Sequence, residues 1–258
     1  MSLKHLLVVG LGALSASAAA QDHSNHGTHT PATADTPYQM QGSGAGHHDP
    51  MFLFLQADRL ETQFHDGEET LVWDTNAWYG GDLNKLWIKS EGELSLSGGE
   101  FEEAEVQALW SHAISTYFDL QTGLRYDIAG KDRVHAAFGV MGLAPYWFEV
   151  DAMAYVSDKG DITATVELEY ELLLTQRLIL QPRAELAFSA QHVPDAGLGK
   201  GLTGLDTGIR LRYEIIREFA PYVGIEWQKR FGATADMMRR DGEDPNRMVL
   251  VAGIRAWF

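Results

Sequence analysis

Five of the chain's ten histidines fall within thirty residues: His23, His26 and His29 at three-residue spacing in "QDHSNHGTHT", then His47 and His48 in "GHHDPM". Neutral imidazole suits copper, nickel and zinc, and among these divalent ions Cu(II) binds most tightly. With Gln21 as a free N-terminus, His23 is the third residue. Amine, two deprotonated amides and imidazole then form a square-planar Cu(II) or Ni(II) site. Met40 and Met51 add thioether sulfur, although two methionines do not make a strong soft site. A further donor set lies deeper in the chain, where His135, Met141 and Met153 share one parity with Glu149 and Asp151. It reads as a soft station on an acidic path for a cation.

Composition narrows what those donors can serve. The chain has 20 basic and 36 acidic residues, a formal charge of −16, so nucleic acid is excluded as a partner and cations are the natural one. There is no cysteine, hence neither a disulfide framework nor a thiolate metal site. Residues 1–20, with Lys4, a short apolar run and Ala18-Ala19-Ala20, have the layout of a secretory signal peptide. Residues 21–50 carry almost no large apolar side chain and read as a disordered, histidine-rich tail. From Met51 to Phe258 patterned segments follow without a break, forming one domain.

That domain repeats one theme, an alternating run of roughly ten to fourteen residues closed by a turn signal such as "HDGE", "YGGD" or "SDKG". Twelve such runs can be counted, beginning at about residue 52 and ending at 258. Strands of soluble sandwiches average about five or six residues, half this length. Long strands, an even count and no apolar 20-mer predict a 12-stranded antiparallel transmembrane β-barrel of the outer membrane, with every second side chain facing lipid. In "DITATVELEYELLL" the lipid face is Val166, Leu168, Tyr170 and Leu172, and the lumen receives Glu167, Glu169 and Glu171. The same parity sends Glu91, Glu93, Glu103 and Glu105 inward.

Parity also orients the barrel. With both termini periplasmic, the ninth and eleventh connections, "HVPDAGLGKG" and "GATADMMRRDGEDPN", fall outside the cell, where long loops belong. Two strands resist the pattern. Pro182 removes a ladder donor inside the ninth and predicts a bulge or kink there, and the first, "FLFLQADRLETQF", alternates poorly. Ser111 with His112 and Ser189 with His192 are the nearest approach to a nucleophile and base, but no nucleophile motif accompanies them and an enzyme is not expected. A barrel enzyme and a narrow diffusion channel stand as the alternatives to a copper-binding barrel.

Several long blocks carry a resemblance. "WDTNAWYGGDLNKLWIKSEGE" (73–93), "DLQTGLRYD" (119–127), "GLAPYWFEVDA" (142–152), "YELLLTQRLILQPRAE" (170–185), "LRYEIIREFAPYVG" (211–224) and "VAGIRAWF" resemble the copper resistance protein B family of Gram-negative outer membranes, over about residues 50–258. The resemblance implies a barrel acting in copper resistance beside a periplasmic multicopper oxidase, with a Met- and His-rich copper-binding segment ahead of it. The matching segment here, residues 21–51, is rich in histidine and poor in methionine, which favours Cu(II).

Overall fold

Each alternating run becomes a strand paired antiparallel with its neighbours in sequence, most of them joined by short turns that fold the chain straight back. The computed structural model describes residues 50–129 and 132–258, so the expected signal peptide and most of the histidine-rich tail lie outside the described residues. The strands are β1 (Phe52–His65), β2 (Glu68–Gly80), β3 (Asn84–Ser95), β4 (Phe101–Ala113), β5 (Phe118–Asp127), β6 (Arg133–Ala144), β7 (Phe148–Ser157), β8 (Ile162–Glu169), β9 (Leu172–Leu173), β10 (Leu178–Ser189), β11 (Gly201–Tyr213), β12 (Phe219–Arg230) and β13 (Asn246–Trp257). β8 and β9 are two pieces of one stave, both paired with β10, so thirteen segments make a twelve-stave barrel. β13 closes it against β1, from Gln56 opposite Trp257 to Phe64 opposite Leu250.

The two resisting strands resolve differently. In β1 the register shifts between Ala57 and Arg59, a bulge that turns Asp58 and Arg59 both inward. Parity therefore reverses partway along the strand: Phe54 and Gln56 point inward before the bulge, Glu61 and Gln63 after it. Pro182 does not bulge β10, contrary to expectation; the disruption falls on its neighbour. Tyr170 donates to the Pro182 carbonyl at 3.1 Å, but proline has no N–H to return the bond. The stave is interrupted there, between β8 and β9.

The exterior is apolar along the middle of the staves, with Leu55, Leu60, Ile88, Leu124, Ile209 and Leu250 all exposed. Exposed aromatic residues, among them Tyr79, Tyr117, Tyr146, Trp147 and Phe258, ring the rim that carries both ends of the barrel. The first hairpin, Asp66-Gly67, has both residues at positive φ (47° and 87°), the two-residue turn whose twist matches the flanking strands.

The two longest connections, residues 190–200 and 231–245, lie on the opposite rim from the termini. The second contains a helix, α1 (Gly232–Asp241), that the alternation does not announce. It ends on Gly242 in the left-handed region, where the Glu243 N–H reaches the Met238 carbonyl at 2.9 Å. The two connections dock together through the Gly199 N–H, which donates to the buried Thr234 hydroxyl at 2.7 Å.

Candidate functional site

Cross-strand register sorts the lumenal carboxylates into two rows. Asp74, Glu91, Glu105 and Asp127 stand directly opposite one another from β2 to β5. Asp151, Glu167, Glu185 and Asp206 do the same from β7 across β8 and β10 to β11. Like charges in direct register oppose pairing, so the rows are favoured by cationic side chains close by.

Basic side chains supply most of that compensation. Arg59 reaches Asp74 at 3.3 Å, and Arg125 bridges Glu105 (2.5 Å) and Asp127 (2.7 Å). Arg183 grips Glu167 in a two-pronged contact (2.7 and 2.8 Å) and touches Glu185, while Arg230 pairs with Asp206. Lys89 of β3 crosses the lumen to Asp151 of β7 at 2.6 Å. Arg255 of β13 spans it to Glu171, which also receives Arg212. Side chains therefore cross the bore instead of merely lining it.

The deepest knot joins β1, β11 and β12. Arg210, 2% exposed, donates Nε and Nη2 to Glu61 (2.9 and 2.7 Å) and Nη2 to Glu226 (2.7 Å). The Tyr222 hydroxyl donates to Glu61 at 2.9 Å. Gly253 leaves the space they occupy, since a Cβ there would stand 2.6 Å from the Glu61 Cβ and 2.8 Å from the Tyr222 ring. Gly253→Val is expected to cost about 1–3 kcal/mol by overpacking, read as a lower urea midpoint for unfolding from micelles.

The lumen also holds an apolar cluster of Trp87, Leu109, Ala137, Met153 and Tyr155, with Trp78 and Met141 packed against it. Their inward placement follows from the parity that sends Glu91, Glu105 and Asp151 inward, although the residue types alone suggest lipid contacts. Glu61 was hidden from a parity reading by the bulge at Asp58.

The predicted donors divide on this frame. Glu105, Glu167 and Glu171 are in ion pairs, and Glu169 accepts from Gln181. The side chains of Glu91, Glu93, Glu103 and Glu149 make no ion pair or hydrogen bond among the described residues, and Glu93 faces Glu103 in direct register. His135 Nε2 lies 2.9 Å from Asp127, and the ring meets Tyr155 edge-on. Its partner across β6 and β7 is Ser157, whereas that of Met153 is Gly139. Four residues of strand, about 13 Å, separate those two levels. Met141 and Met153, by contrast, are diagonal neighbours on one face.

Among the described residues no group of three or more His, Asp and Glu converges as a metal site. Met51 is exposed at the terminal rim, while His23, His26, His29, His47, His48 and Met40 lie outside the described residues. Ser111 faces inward and donates to Asp119 (3.0 Å), and Ser189 donates to the Gln191 carbonyl (2.7 Å).

A closed barrel with an apolar exterior and a charged interior is the architecture of outer-membrane proteins. Two solved porins share the fold at low identity: the NanC porin (9% identical, TM-score 0.53) and a KdgM porin in complex with oligogalacturonate (12%, TM-score 0.50), each matched over 80% of this chain and 99% of its own. The particular family is set by sequence. The chain belongs to the copper resistance protein B family, whose model, described as copper resistance protein B precursor, matches residues 51–258. It is 41% identical to a copper resistance protein B homolog of Pseudomonas syringae pv. tomato, over 98% of this chain and 94% of that protein. It is 45% identical to copper resistance protein B of Escherichia coli, over 84% of this chain and 74% of that one.

Proposed function

We propose that this protein captures periplasmic copper with its histidine-rich leader and holds it in, or passes it outward through, the acidic barrel lumen. Copper is cargo in this reading, and the function is non-enzymatic. The observation that supports it best is the union of a copper-resistance barrel with a leader holding His23, His26, His29, His47 and His48. Both ends of the barrel share one rim and the long connections occupy the other, which supports a reading in which the terminal rim is periplasmic. A periplasmic multicopper oxidase of the same resistance system is the proposed partner on that side.

The capture step is tested by Cu(II) titration of the full-length protein against a form whose five leader histidines are alanine. Equal stoichiometry in the two removes the leader from the reading.

A narrow diffusion channel is the competing reading, and the cross-lumen contacts oppose it. Lys89–Asp151 and Arg255–Glu171 span the bore, and the Trp87–Leu109–Met153 cluster fills part of it. Twelve staves also make a narrower barrel than the sixteen to eighteen typical of open porins. In planar bilayers the protein is expected to show almost no unitary conductance in potassium chloride. Large, unselective steps would establish an open pore instead.

A further inference from the structure

The apolar cluster contains polar atoms that its packing does not explain. Gln121, 0% exposed, donates its Nε2 to the thioether of Met141 at 3.5 Å, and its Oε1 has no donor among the described residues. Asp151 Oδ1 is likewise buried without a donor, although Oδ2 is held by Lys89.

Register places these groups together. Gln121, Gly139 and Met153 lie side by side across β5, β6 and β7, and Asp119, Met141 and Asp151 form the adjoining row. Gly139 contributes no side chain between Gln121 and Met153. The Met153 sulfur occupies that gap, only 2.3 Å from where a Cβ on Gly139 would stand. Two thioethers, one buried amide oxygen and one carboxylate oxygen therefore share two adjacent rows of the lumen wall. Trp87 packs in the same cluster.

We infer that Met141, Met153 and Gln121 form a lumenal binding site for a soft monovalent cation, Cu(I) or Ag(I), with the unpartnered Oδ1 of Asp151 as an adjoining oxygen donor; this rests on the reading of copper as cargo. Thioether sulfur selects Cu(I) over harder divalent ions, and unlike imidazole it needs no deprotonation to bind. A packing role alone would be served by leucine, and it leaves the buried Gln121 Oε1 without a partner. The site lies toward the terminal rim, since Met141 is near the end of β6 that opens there. It stands apart from His135, so imidazole and thioether chemistry are divided between separate places on the wall.

The probe is silver ion, titrated into the full-length protein in detergent and followed by X-ray absorption at the silver edge. Three forms are compared with the unaltered chain: M141L/M153L, M153L alone, and the form with five leader histidines replaced by alanine. The unaltered and leader-substituted proteins are expected to bind a lumenal Ag(I) with two sulfur neighbours. M153L reduces these to one, and M141L/M153L weakens binding at least tenfold while keeping the heat-dependent gel shift of a folded barrel. Leucine conserves the volume, so the barrel is expected to form. Undiminished binding and two sulfur neighbours in M153L would overturn the site, whatever the double variant does. Loss of Cu(II) binding confined to the leader-substituted form concerns capture alone, so the two readings fail separately.

Discussion

Arg210→Leu is expected to leave a barrel that refolds poorly and loses its heat-dependent gel shift at much lower urea than the unaltered protein. The reason is the company Arg210 keeps. Glu61 and Glu226 are 1% and 3% exposed, and the same guanidinium pairs with both. Its removal strands two carboxylates in a site that water does not reach freely. Breaking a buried ion pair by deleting one partner costs about 3–5 kcal/mol, a large part of a protein's usual margin of 5–15 kcal/mol. Replacing Arg210, Glu61 and Glu226 all by leucine should recover most of the loss, because no uncompensated charge remains. Urea titration of the single and triple variants in micelles checks both statements. A single variant as stable as the parent would show that the knot contributes nothing to the barrel.

Substituting His23, His26, His29, His47 and His48 by alanine is expected to weaken Cu(II) binding by at least tenfold and to sensitise cells to copper without changing barrel assembly. Tenfold corresponds to about 1.4 kcal/mol, a modest demand on the loss of five imidazoles. Because imidazole must be neutral to ligate, Cu(II) affinity of the parent should also fall as pH is lowered, and the substituted form should lack that dependence. Calorimetry at two pH values, paired with growth on copper, reads all three effects. A substituted protein with parental affinity would leave the lumen as the only seat of binding.

Much of this architecture was legible in the chain. Alternation in "DITATVELEYELLL" and its eleven companions depends on nothing more than one greasy and one charged face, and the side-chain period of two carries that directly. The same parity located Glu91, Glu167 and Met153 on the inner wall. It failed where the period itself breaks. At Asp58 the bulge reverses the faces of β1, so Glu61 could not be recognised as the centre of the deepest ion-pair knot.

Helix α1 escaped because a loop segment with little apolar periodicity shows no stripe, and its docking rests on Gly199 and Thr234. The grouping of His135 with Met141 and Met153 was parity without register: they share a wall, but the level of His135 is set by Ser157 and that of Met153 by Gly139. Gln121 could not stand out as a donor from its residue type alone, because only the lateral row reveals its neighbours.

This barrel protein is proposed to hold copper on its own side chains, in the leader and in the lumen. Crystals of the full-length protein soaked with copper, measured on both sides of the copper absorption edge, test it most directly. Anomalous peaks are predicted at the leader histidines and between Met141 and Met153. A well-ordered barrel whose only copper peaks lie in detergent or at lattice contacts would contradict the account.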